Sequence, residues 1–231
     1  MEMICLRSMS ALRLLLMIIC FLSSSSGALA QSLKPLMRDV FAAMPDSMLP
    51  MVTKNNRLDC IDFIENAMEA RVRNVLGDYV TLEALTADYA RFRTSASAVM
   101  EMKLLPLKGD SSSVLCVVTT AQAGEEGTAL RMEDSNLRFL RPDWSVPDTV
   151  PVFSMPDVEA FMKPEKSDSI DADYDQALRS LRAFHPVRYT LSPDDDSLTV
   201  TLQTAALSID ERKAVLPRLQ PLRYRWNGLG F

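Results

Sequence analysis

Asp59, Asp62 and Glu65 recur at three-residue steps, the spacing that lays carboxylates along one face of a helix, where a cluster could hold a cation or work as an acid and base pair. A solvated helix face produces the same pattern, and Asp59 near the helix start interacts favourably with the free N–H groups there. Arg57 stands beside them, and the expected role is structural: an ion pair with Asp59 or Asp62 that pins the preceding loop to the helix. The chain's one histidine, His185, precedes Pro186 at a helix-to-strand junction. A lone imidazole can serve as a base, but a triad also needs a placed nucleophile, and the sequence holds neither a G-x-S-x-G elbow nor a reactive-cysteine signature. One histidine and two separated cysteines cannot supply a zinc set. Asp194-Asp195-Asp196 could offer oxygens to calcium, yet adjacent side chains in a turn point apart and no glycine-pivoted loop with a downstream Glu follows, so turn chemistry is the reading. None of the seven glycines forms a phosphate-cradling pattern. Trp144 and Trp226 could line a carbohydrate or peptide groove, although their places after strands favour packing. No catalytic residue, metal ligand or cofactor is assigned; the binding candidates are Arg57, Asp59, Asp62, Trp144 and Trp226.

The elements that would position these residues follow from periodicity. A short helix is expected within Leu33 to Met44, then the turn Met44-Pro45-Asp46-Ser47. Asn55 or Asn56 is placed to cap a helix running to about Leu76, with Leu58, Ile61, Ile64, Met68, Val72 and Val75 on one face and Gly77 ending it. Tyr89 to Thr94, Val99 to Leu105 and Ser113 to Ala121 read as strands of an antiparallel meander, followed by a fourth at Asn136 to Leu140. Pro147, Pro151 and Pro156 mark a linker. Beyond it, Asp171 to Phe184 is an amphipathic helix with Asp168 or Ser169 as cap. Val187 to Leu191 and Leu198 to Leu202 form a hairpin around Ser192 to Ser197, Ser208 or Asp210 caps a short helix to Leu216, and Leu222 to Trp226 closes the chain.

The first thirty residues have the layout of a cleavable export signal: Arg7 and Arg13, an apolar run Leu14 to Leu22, and a small-residue tail with Ala28 and Ala30 at the A-x-A positions, making Gln31 the expected new N-terminus. The run is far shorter than the ~20 residues that span a bilayer. Bulky Ile18 and Ile19 before Cys20 argue against a lipid anchor. Removing Glu2, Arg7 and Arg13 takes the net charge from −5 to −6. That balance argues against nucleic acid, anionic membrane and acidic substrates as partners. Cys60 and Cys116 then remain in an oxidising compartment, both in apolar settings that favour buried thiols; a bridge requires a predicted helix and a predicted strand to face each other within ~7 Å.

Two stretches look like copies. Phe41 to Asp46 echoes Phe153 to Asp157, Ser113 to Ala121 echoes Ser197 to Ala205, and each strand is followed some thirty residues later by a tryptophan. Residues 31–150 and 151–231 are therefore read as two related halves, with one continuous domain as the alternative.

Met44-Pro45-Asp46-Ser47-Met48-Leu49-Pro50, Thr53-Lys54-Asn55-Asn56-Arg57-Leu58-Asp59-Cys60-Ile61-Asp62-Phe63 and Met102 to Pro106 resemble a domain-of-unknown-function family of exported Bacteroidales proteins, as do Ser192 to Asp196 and Tyr224-Arg225-Trp226-Asn227-Gly228. The resemblance spans nearly all of the chain after the signal and implies export and a chain-long unit, without an activity.

The expected fold is α+β, with two related halves of helices packed on antiparallel sheets. The expected function is a non-enzymatic periplasmic or cell-surface binding module for an unknown envelope protein or ligand, with no transmembrane segment after the signal. A carboxylate-dependent hydrolase of the envelope, using Asp59 and Asp62, is the alternative.

Overall fold

The computed structural model describes residues 34–109, 111–124, 127–128, 131–164 and 172–231. The expected signal segment and the Asp168 and Ser169 caps lie outside the described residues. Six strands run as an antiparallel meander in chain order: β1 (Arg71–Arg73), β2 (Tyr79–Leu85), β3 (Tyr89–Ser95), β4 (Ala98–Pro106), β5 (Ser113–Ala123) and β6 (Met132–Leu140). A second antiparallel sheet holds β7 (Val187–Leu191), β8 (Ser197–Leu202) and β9 (Leu222–Arg225), with β8 central. The helices are α1 (Met37–Ala42), α2 (Lys54–Glu65), α3 (Ala172–Ala183) and α4 (Ile209–Val215). The class is α+β. No described helix is long and apolar enough to cross a membrane.

The large sheet is buried on both faces over most of its centre: β5 carries a near-continuous hydrophobic run, and β4 buries almost every residue, Glu101 and Lys103 included. Phe92, Met100, Met102, Leu115 and Val117 point to one side, where Phe41 of α1 and Ile61 of α2 close the first core; the Phe41 and Phe92 rings meet edge to face at 5.1 Å. Leu105, Val114, Cys116, Val118 and Phe139 point to the other, where they join Val187, Leu191, Leu198 and Val200 of the small sheet, Leu181 of α3 and Val215 of α4. One sheet thus serves as a wall of two cores.

α2 begins two or three residues earlier than expected and ends far sooner. Thr53 is the cap: its hydroxyl accepts from the Asn56 N–H, while the Asn56 side chain accepts from the Thr53 N–H, so two orphan donors are satisfied reciprocally. The apolar period from Leu58 to Val75 looks continuous in the sequence, but Ala67 adopts a left-handed φ of 55° and turns the chain out of the helix after Glu65. Val72 is then buried as the middle residue of β1, where a β-branched side chain suits the pleat. Gly77, at φ 86°, sits in the β1–β2 turn instead of ending a helix. β2 is a strand beyond the expected ones, formed because the chain leaves the helix at Ala67 and β1 gives Tyr79–Leu85 an edge to pair with. In the second half the agreement is close: β7, β8, β9 and α3 lie within a residue or two of expectation, and Ser208 caps α4 in a capping box with Glu211.

Candidate functional site

β7 lies against β4, β5 and β6, and its alternation separates two environments. Val187, Tyr189 and Leu191 enter the second core, whereas Arg188 faces a polar groove of about 520 Å³ over the part of the large sheet that the small sheet leaves open. The Tyr189 N–H donates to Ser135 Oγ at 3.1 Å, which ties the edge of β7 to β6.

One wall of the groove comes from β3, braced from β2 and β4. In β3, Ala90 and Phe92 go to the helix side, so period-two alternation sends Arg91 and Arg93 to the other. Glu83 is the extra residue of a bulge between Leu82 and Ala84, and it is shared: Oε2 accepts from Arg91 Nε at 2.7 Å and Oε1 from Arg93 Nε at 2.6 Å. Glu101, directly opposite Arg91 on β4 and only 3% exposed, accepts from Arg91 Nη1 at 2.6 Å and from the Tyr89 hydroxyl at 3.0 Å. Partial burial opposes the Arg91 charge, but Glu101 and Glu83 together hold its pKa above the ordinary guanidinium value. Burial pushes the Tyr89 phenol well above its usual range, and the neighbouring Glu101 charge adds to that.

β5, β6 and β7 supply the opposite wall. Gln122 Nε2 donates to Glu133 Oε1 at 2.8 Å, Arg188 Nη1 donates to Glu133 Oε2 at 2.8 Å, and Arg131 Nη2 donates to Gln122 Oε1. Thr120 and Ser135 share a hydroxyl hydrogen bond at 2.8 Å beneath them. Arg93 also lines an adjoining groove of about 560 Å³ with Arg71, Tyr79, Thr81, Ser95 and Ser97. There the Arg71 guanidinium stacks 3.9 Å from the Tyr79 ring centroid and Arg73 Nε donates to the Tyr79 hydroxyl at 3.3 Å. The two grooves form a run of planar donors and acceptors held in fixed positions by cross-strand pairs.

The residues singled out in the sequence lie elsewhere. Arg57 is buried beneath the 44–52 loop and pairs with Asp46 at 3.0 Å, not with Asp59 or Asp62; it lies in the first turn of α2, where side chains lean toward the helix N-terminus and so toward the loop, while Asp59 and Asp62 are on the exposed side. Asp62 accepts from Asn66 at the helix end. Trp144 and Trp226 are packing residues: the Trp144 indole N–H donates to the Val40 carbonyl at 2.8 Å and that of Trp226 to the Pro106 carbonyl at 2.6 Å, in the first and second core respectively. Asp195 organises its turn, accepting from Ser197 and pairing with Arg223 at 2.6 Å. Cys60 belongs to the first core and Cys116 to the second, so the large sheet stands between two free thiols. The groove arginines went unnoticed because net charge averages over the chain; the signal was local, in Arg71-Val72-Arg73 and Arg91-Phe92-Arg93, where arginine alternates with a buried apolar residue.

The fold is similar to that of a solved structure described as a domain of an uncharacterized protein from Porphyromonas gingivalis W83, with 27% identity and a TM-score of 0.66, covering 86% of this chain and 98% of that one. No match is found among curated proteins. The family model described as "Protein of unknown function (DUF3256)" matches residues 29–231, and the chain belongs to that family.

Proposed function

We propose that this protein is an exported, non-enzymatic binding module of the cell envelope whose ligand lies along the groove between β3 and β7. The observation that carries the reading is the open part of the large sheet: instead of being covered like the rest of that face, it is lined by Arg91, Arg93, Gln122, Arg131, Glu133 and Arg188, most of them braced by a side-chain partner. A sheet face needing only solvation would not bury carboxylates as deeply as Glu101 and Glu133 beneath it, since desolvated charge is costly unless its geometry is put to use. Export rests on the three-part layout of residues 1–30. Asp59 and Asp62 stand on the exposed side of α2, across the large sheet from the groove, so a carboxylate hydrolase built on them would not use the groove.

The internal duplication belongs to the same reading. Both Met-Pro-Asp turns open a short 3-10 helix, at Asp46–Met48 and Val158–Phe161, and both tryptophans close a core by donating to a main-chain carbonyl.

A photo-crosslinking residue at Gln122, compared with one at Asp59, tests the groove. With envelope fractions the Gln122 probe is expected to give a discrete adduct that the Asp59 probe does not. Equal labelling at both positions, or none at Gln122, overturns the assignment.

A further inference from the structure

Resting on that reading of the groove, we infer that Arg93 and Arg188 form a seat for a planar or tetrahedral anionic group, a carboxylate or a phosphate, clamped between the two sheets. The argument is a donor count. Among the described residues the groove sets four guanidiniums, Arg91, Arg93, Arg131 and Arg188, against three carboxylates, and each carboxylate is already shared. Glu83 is divided between Arg91 and Arg93, Glu133 between Arg131 and Arg188, and Glu101 between Arg91 and Tyr89. A guanidinium has five N–H donors in a rigid fork. Arg91 uses Nε and Nη1, but Arg93 uses only Nε, on Glu83, and Arg188 only Nη1, on Glu133. Both remain partly exposed in the groove, at 27% and 34%.

Each of the two arginines is therefore held by one carboxylate with the rest of its fork uncommitted, which is how a guanidinium is pre-oriented for a second acceptor. Lysine could not do this, because a point charge on a flexible stem is not aimed by a single contact. Their strands differ in kind: Arg93 belongs to the large sheet and Arg188 to the small one. An anion accepting from both would tie the sheets together at the place where β7 meets the large sheet. Among the described residues the groove thus gathers more guanidiniums than carboxylates in a chain whose net charge is −5, and the expectation drawn from net charge alone, that acidic ligands are unsuitable, does not extend to Arg93 and Arg188.

The test is thermal unfolding and calorimetric titration of the purified protein with citrate and with inorganic phosphate, each against chloride at matched ionic strength. At least one of the two is expected to raise the melting temperature beyond chloride, and its Kd is expected to rise at least tenfold in Arg93→Gln and in Arg188→Gln but not in Arg179→Gln, an exposed arginine of α3. Arg188→Lys should recover little of the loss, since the fork and not the charge alone is required. A citrate response identifies a carboxylate ligand and a phosphate response a phosphorylated one. Protection equal to that of chloride, or protection that survives in both groove variants with native circular dichroism, overturns the seat. If the seat fails while the Gln122 crosslink persists, the groove takes a neutral ligand; loss of both removes the groove reading itself.

Discussion

Arg57 and Asp46 are eleven residues apart in the chain, and their side chains meet at 3.0 Å under the loop that joins α1 to α2. The asymmetry of the pair is informative: Arg57 is 1% exposed and Asp46 is 61% exposed. The guanidinium is therefore held chiefly from within, by the Val52 carbonyl at 2.8 Å and by the Met44 carbonyl. A buried arginine at the start of a helix replaces a hydrophobic plug because the loop around it turns two main-chain carbonyls inward, and those acceptors require donors.

Arg57→Ala should be among the most destabilising single changes in the chain. It orphans two buried carbonyls at roughly 1–3 kcal/mol each, so a loss of about 3 kcal/mol or more in urea unfolding is expected. Asp46→Ala removes only an exposed partner and should cost under about 1 kcal/mol. Equal costs would mean that the ion pair, and not the carbonyls, holds the loop.

Trp144→Phe keeps most of the ring volume but removes the indole N–H that satisfies Val40, at an expected cost of about 1–2 kcal/mol. Trp144 also has a left-handed φ of 70°, unusual for a bulky residue, sustained by a turn in which Asp143 accepts from both the N–H and the hydroxyl of Ser145. Asp143→Ala should therefore loosen the same corner, and the two losses should be non-additive in a double-mutant cycle.

Cys60 and Cys116 should resist a thiol reagent in the native protein and react together once it is unfolded. Burial pushes the Cys60 thiol up to about 11 and that of Cys116 higher still, so neither presents thiolate near neutral pH. Intact mass after mild oxidation should show no intramolecular bridge, and a native disulfide would contradict the placement of the two residues in different cores.

Asp195 should make the protein acid-sensitive in a defined window. Hydrogen bonds from Ser197 and Ser192, and the nearby Arg223 and Arg225 guanidiniums, hold its pKa below the ordinary carboxylate value of 3.8. A depressed folded-state pKa contributes stability that is fully present above the unfolded value and is lost as pH falls through the folded one. In Asp195→Asn, the fall in melting temperature below about pH 4 should be shallower than in the parent. An unchanged slope would assign the acid sensitivity to other carboxylates.

What was legible in the sequence was whatever rested on local chemistry. The β7–β8 hairpin was found because Ser192-Pro193-Asp194-Asp195-Asp196 can do little except turn, and α4 because Ser208 and Glu211 make a capping box. The end of α2 was missed because nothing at Asn66-Ala67 is a strong breaker; tertiary packing of Val72 and Val80 overrode a pattern that continued past it. Arg57 pins the loop as its position suggests, but to Asp46 and two main-chain carbonyls instead of Asp59 or Asp62, acceptors that no side-chain motif reveals. The groove needs residues from β2 to β7, so only the meander and the placement of β7 could assemble it.

The two-faced centre of the large sheet has one more consequence. Sliding β5 by one residue against its neighbours would exchange Leu115 and Val117 with Cys116 and Val118, side chains of nearly equal apolarity, so hydrophobic burial by itself barely distinguishes the two alignments. The polar residues do distinguish them. A slip of β4 would drive Glu101 and Lys103 beneath the helices, away from Arg91 and Asp88, and a slip of β5 would part Thr120 from Ser135 and Gln122 from Glu133. The side chains that line and border the groove are in this sense alignment marks, and a variant that neutralises them together should fold into a mixture of strand registers before it loses the ability to fold at all.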